Sequence, residues 1–177
     1  DMAGYTAIAE AGQAIVALLR REMTPEPVSK PELIGLGSPF EPEDFQLTVH
    51  LLHLEESAEG RQGFIQEGRN TQRMAPLQLK LTYLVTAHSK APAQLKEADQ
   101  YRMVGAALQV LRDHPIIDQA YLSGSLAEQN AQVHVVLEKT TQDQLLKIWN
   151  NTSTAYKLSF VVLLAGVEID SRRERRF

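Results

Sequence analysis

The residues best suited to chemistry lie close together in His50-Leu51-Leu52-His53-Leu54-Glu55-Glu56. Imidazoles and carboxylates grouped in this way are good ligands for zinc or iron. Their spacing works against them. Phe45-Gln46-Leu47-Thr48-Val49-His50-Leu51 alternates apolar and polar side chains, the period of a strand with one buried face. On a strand, positions 50 and 53 face opposite sides, so the two histidines diverge. The plain reading is a strand end with polar side chains reaching solvent, and no metal ligand is assigned. His88 and His114 sit at the ends of elements and His134 lies between two inward valines. All three are expected to be surface or interface residues rather than general bases. Ser123-Gly124-Ser125 does not fit the turn that exposes a nucleophilic serine and reads as a simple turn. Gly35-Leu36-Gly37 lacks the preceding strand and following helix with which a glycine loop holds phosphates. The chain contains no cysteine, which excludes disulfides, thiolate zinc sites and cysteine nucleophiles. No catalytic or cofactor-binding residue is assigned, and the chain is expected not to be an enzyme.

The unusual chemical feature is the tail Ser171-Arg172-Arg173-Glu174-Arg175-Arg176-Phe177. The 177-residue chain has a net charge of −4, yet these seven residues carry +3, leaving −7 on the remainder. Four guanidinium groups can bind phosphates or carboxylates in bidentate pairs. Nucleic acid is not an expected partner, because aromatic residues are not interleaved with the arginines and the rest of the chain is acidic. The economical reading is an arm that docks on an acidic partner surface; the alternative is a solvated end.

The elements that must position these groups follow from periodicity. Residues 3–23 read as a helix, with Ile8, Ala11, Ile15, Leu18 and Leu19 on one stripe. Thr24-Pro25-Glu26-Pro27 ends it. Five prolines and two glycines between Pro25 and Pro42 predict a surface segment with no regular element. The strand through Leu51 is followed by a polar loop from Glu55 to about Ala75, long enough to suggest a functional role. Leu77, Leu79, Leu81, Tyr83 and Val85 alternate with mostly polar neighbours and give the clearest strand. A helix from Pro92 to Asp113, a short strand around His134, and a helix beginning at Thr141 and burying Trp149 come next. The last strand runs from Lys157 to about Leu164, with an extension to Ile169 left open.

This order predicts an α+β fold in one domain, residues 2–170, followed by a basic arm, residues 171–177. Half-polar alternation favours a largely antiparallel or mixed sheet of about four strands, with two or three helices on one face. Apolar residues make up 44% and charged residues 23%, ordinary for a soluble globular protein. The longest apolar run, Phe160 to Val167, is eight residues, far short of the roughly twenty that cross a membrane. With the first arginine at position 20, no secretion signal is expected, and Met2 after Asp1 reads as a possible native start. Synthesis in the cytoplasm is expected.

Several stretches, in order, resemble one family. They are Tyr5-Thr6-Ala7-Ile8-Ala9, Pro31-Glu32-Leu33-Ile34-Gly35, and Arg73-Met74-Ala75-Pro76-Leu77-Gln78-Leu79-Lys80-Leu81-Thr82-Tyr83-Leu84-Val85-Thr86-Ala87-His88-Ser89. Leu108-Gln109-Val110-Leu111 with Pro115, Leu145-Leu146-Lys147-Ile148-Trp149 and Val167-Glu168-Ile169-Asp170-Ser171 follow. Collinearity, rather than any one motif, makes the chain similar to the cap, or tail-terminator, proteins of extracellular contractile injection systems of the virulence-cassette and antifeeding-prophage kind. The resemblance implies a structural protein that forms a sixfold ring, stops the inner tube at the end far from the baseplate and joins it to the sheath. It also implies partners: further copies of the chain, the tube protein and the sheath protein, within a particle that is assembled in the bacterial cytoplasm and later released. Some members continue into a further C-terminal region. In this role Arg172, Arg173, Arg175 and Arg176 are expected to reach the sheath, and Phe64, Arg69, Arg73, Leu36 and Phe40 to contact a neighbouring copy or the tube. The competing reading is another oligomeric adaptor of a phage-tail-like assembly, a tail-completion or baseplate component.

Overall fold

Helix α1 (Ala7–Met23) forms where the apolar stripe requires it, with Ala7, Ala11, Ile15, Leu18 and Leu19 fully buried. The computed structural model describes residues 4–177, so the expected helix start at residue 3 and the reading of Met2 as a native start lie outside the described residues. In chain order the strands are β1 (Ile34–Leu36), β2 (Leu47–Glu56), β3 (Phe64–Gln66), β4 (Thr71–Met74), β5 (Leu77–Ala87), β6 (His134–Leu137), β7 (Ser159–Ile169) and β8 (Glu174–Arg176). The remaining helices are α2 (Ala93–Asp113), α3 (Gly124–Glu128) and α4 (Gln142–Asn150).

The main sheet has the order β1-β2-β5-β7-β6 and is antiparallel except where β1 runs parallel to β2. Leu47, Val49, Leu81, Tyr83, Val85, Val162 and Leu164 point from it into the principal core, which α1, α2 and α3 close with Ile15, Met103, Leu111 and Leu126. The expected α+β class is the observed one; the sheet has five strands rather than about four, and α1, α2 and α3 cover this face. A smaller cluster occupies the opposite face. There Leu84 and Val161 pack under Trp149 of α4, with Phe40, Leu52, Leu145 and Ile148 around them. The cause is visible in the strands: Tyr83-Leu84-Val85 and Val161-Val162 are consecutive apolar residues, which demand cover on both sides.

The proline-rich segment is more ordered than expected. Pro31–Leu33 forms a short 3₁₀ turn and β1 follows it, anchored by the fully buried Ile34. Gly35 permits this, because the Phe45 ring lies where any side chain at 35 would stand. Two bulges reset the long strands. Leu52 is an extra residue between Leu51 and His53, so His50 and His53 stand opposite Leu84 and Thr82 and share one side of the sheet. The divergence expected from strict alternation is therefore undone. Even so, among the described residues no group of three or more His, Asp or Glu is placed to hold a metal. In β7 the bulge falls at Gly166, whose φ of +87° and close approach to the Gln132 carbonyl oxygen both exclude a side chain.

Two buried polar groups tie distant segments together. Ser123-Gly124-Ser125, expected as a turn, opens α3, and the carboxylate that caps this helix comes from Glu10 of α1. Glu10 accepts hydrogen bonds from the Ser125 backbone N–H (3.2 Å), the Ser125 hydroxyl (2.6 Å) and the Leu126 N–H (3.2 Å). Burial alone would raise its pKa; bonds from Ser125, Thr6 and the α3 backbone outweigh that and hold it below the ordinary carboxyl value.

His88, expected at the surface, is 3% exposed. Its Nδ1 accepts from Lys157 Nζ at 2.8 Å, which leaves Nε2–H to donate to Thr48 Oγ1 at 2.8 Å. Burial, followed by the nearby Lys157 and Lys90 ammonium groups, pushes its pKa down to about 3. The unfolded chain therefore takes up this proton first as the pH falls. Stability contributed by neutral His88 is complete above about pH 6.5 and is lost progressively from there toward pH 3. Between pH 7 and pH 5, urea denaturation should show a loss of about 2 kcal/mol more than in a His88→Gln variant. An equal loss in both proteins would show that His88 is not the acid-sensitive group.

Candidate partner-binding interface

The stretch expected to be a loop from Glu55 to Ala75 is largely a hairpin. β3 and β4 pair antiparallel, with Phe64 opposite Met74 and Gln66 opposite Gln72. The turn closes where the N–H groups of Glu67 and Gly68 both donate to the Thr71 carbonyl. A two-stranded hairpin is marginal alone. The tail supplies the third strand: β8 pairs with β4, placing Arg176 opposite Thr71, Arg175 opposite Gln72 and Glu174 opposite Arg73. Bonds from Phe177 N–H to the Asn70 carbonyl and from Met74 N–H to the Arg173 carbonyl extend the ladder at both ends. Two regions assigned separately from sequence, the long loop and the basic arm, are thus one small sheet of order β3-β4-β8.

The register sorts its side chains onto two faces. On one lie Phe64, Gln66, Gln72, Met74, Arg173 and Arg175. Here the guanidinium carbons of Arg175 and Arg173 stand 4.3 and 5.4 Å from the centre of the Phe64 ring, and Arg175 Nε donates to Gln72 Oε1 at 2.6 Å. On the other face Arg73 is saturated. Its Nε reaches both carboxylate oxygens of Glu67 at 3.0 Å, one terminal nitrogen donates to the Ser171 carbonyl at 3.0 Å, and the other pairs with Glu174. The hydrogen bond to Glu67 and the charges of Glu67, Glu174 and Asp170 keep it protonated more firmly than a free arginine. One arginine of the hairpin therefore clamps the turn, the tail and the end of the main sheet.

The structure brings Phe64, Arg73, Arg173 and Arg175 together and engages all four within the sheet. Arg69 at the hairpin turn, Arg172 and Arg176 are exposed. Leu36 and Phe40 lie apart from this group. Leu36 is exposed (42%) on the edge strand β1, whereas the Phe40 ring packs edge-on to Trp149 at 5.2 Å and to His50 at 6.3 Å. The sequence reading missed Glu67 and Glu174, the carboxylates that order the arginines. Their only signal is alternation within segments too short to stand out. Residues 60–75 and 171–177 together carry +5, against −9 for the rest of the chain. The result is a basic, three-stranded sheet on an otherwise acidic chain. Among the described residues, no helix is long and apolar enough to cross a membrane.

The fold, a five-stranded α+β domain with a small second sheet, has counterparts among solved structures. It is similar to the sheath/tube terminator of an extracellular contractile injection system, PVC, in its extended state, with a TM-score of 0.65 and 15% identity over 99% of this chain and 59% of that one. It is also similar to the tube-terminating cap of the anti-feeding prophage, with a TM-score of 0.61 and 17% identity over 94% of this chain and 56% of that one. The chain thus corresponds to little more than half the length of either solved protein. No curated protein sequence matches it. It belongs to the Pvc16 N-terminal domain family, whose pattern it matches over residues 10–177.

Replacing Arg73 with leucine removes the clamp while leaving the main-chain ladder in place. The arm should then be cut faster by trypsin at Arg172 and Arg173, and the amides of β8 should exchange faster, with no change in the melting temperature of the main domain. Unchanged protection of β8 would show that backbone pairing alone holds the arm.

Proposed function

We propose that this chain is the ring-forming part of a tail terminator, or cap, of a contractile injection system. Six copies close a ring that ends the inner tube at the end distal to the baseplate and holds the sheath to it. The observation that carries this reading is the family match over residues 10–177, supported by a fold that follows terminator and cap proteins along nearly the whole chain. The particle is assembled in the cytoplasm and later released. The role needs no catalytic step or cofactor. It requires one patch to bind a different patch on the next copy with a rotation that closes, and a surface that offers no seed for another layer of tube.

In this arrangement the basic projection faces outward, and its arm, Arg172, Arg173, Arg175 and Arg176, meets acidic surface on the sheath. Arg172 and Arg176 point away from the Phe64 stack and carry the contact; Arg173 and Arg175 hold the strand in shape. Changing all four arginines to glutamate should leave ring formation intact but strip the sheath from the capped end. Arg172→Glu with Arg176→Glu should do the same without disturbing the stack on Phe64. Normal sheathed particles from both variants, seen by electron microscopy, would refute the arm's assignment.

A further inference from the structure

A shallow groove opens beside β1, at the start of β2. Leu33 and Phe45 form its apolar floor, and Glu32, Glu43 and Asp44 its rim, with Lys90 on one wall. The rim carboxylates are exposed, and Lys90 Nζ donates to the Glu43 backbone carbonyl at 3.1 Å instead of to a carboxylate. The lining is therefore net acidic by two charges. At the opposite end of the same strand, past Glu56, the hairpin presents Arg61 and Arg69. Both are exposed, and among the described residues neither forms a salt bridge.

The two charged features cannot meet within one molecule. β2 contains ten residues, which places its ends roughly 30 Å apart. Two complementary patches at opposite ends of one chain can pair with each other between copies. The contact is then head to tail, the kind that yields a closed ring when each step adds the right rotation and a filament when it does not. Arg73 is engaged with Glu67, Glu174 and the Ser171 carbonyl, and Phe64 lies beneath Arg175, which leaves Arg61 and Arg69 as exposed cations that the hairpin's own bonds do not use.

We infer that the β3–β4 hairpin of one copy seats in the Glu32–Glu43–Asp44 groove of the next, through Arg61 and Arg69, and that this is the contact that closes the ring. The inference rests on the terminator reading and deepens it by naming the two surfaces. Rim charges of this kind set register and partner choice more than raw affinity.

The absence of cysteine makes the test clean. In the full chain, Arg69→Cys and Asp44→Cys introduced together should, on oxidation, give a ladder of covalent oligomers that ends at six subunits. Neither single variant should give one. A second arm uses charge reversal: Arg61→Glu/Arg69→Glu copies and Glu43→Arg/Asp44→Arg copies should each self-associate about tenfold more weakly by light scattering. An equal mixture of the two should recover association. Both arms are run alone and with purified tube, so that assembly needing a template is captured. Rings that form without the disulfide ladder, or with no response to charge reversal, would overturn this contact but leave the terminator reading standing. Covalent dimers from one single-cysteine variant would also overturn it, since they mark a symmetric contact. Failure of the unmodified chain to associate, alone or on tube, would overturn both.

Discussion

The central constraint is that β5 pairs antiparallel with β2 on one side and β7 on the other. It follows that the connection from β2 to β5 and the chain that leaves β7 emerge from the same end of the sheet. The hairpin is that connection and β8 is that exit, so the two meet without either having to travel. The same pairing sends the approach to β2 and the exit from β5 to the far end, where the acidic loop at 41–44 and His88 lie. The topology thus sets the basic hairpin and the acidic 41–44 loop at opposite ends.

What holds the ends in shape is polar and specific, in contrast to the core between them. The sheet and its helices are secured by apolar burial on two faces, with Tyr83 and Leu84 as neighbours serving opposite cores. Its margins depend on single polar or charged groups with several partners: Glu10 under α3, neutral His88 between Lys157 and Thr48, and Arg73 between Glu67, Glu174 and Ser171. Removing Glu10 or His88 leaves buried partners unsatisfied, whereas the carboxylates around Arg73 are partly exposed and can turn to water.

The long elements were legible because burial repeats along them. β5, the two longer helices and α4 with its Thr141 cap show that repeat directly, and β7 shows it interrupted by one bulge. β3, β4 and β8 were not legible. They have three or four residues each, with mostly polar side chains; β3 and β4 pair across a short turn, and β8 joins them only through pairing across about a hundred positions, as Arg73 with Glu174. Likewise α3 has five residues, and its cap lies 115 positions away in Glu10. His88 looked superficial because its cover, Lys157, is 69 residues distant. Of the candidate interface, the arginines of the tail could be read from composition alone. That Phe64 lies beneath two of them, and that Arg73 is spent on internal bonds, follows only from the register.

The central claim is that this protein limits the length of a tube. Removing its gene and measuring particle length by electron microscopy tests that claim most directly. The account predicts tubes of uncontrolled, often excessive length that separate from their sheaths. Tubes of uniform, normal length held firmly within their sheaths would contradict it.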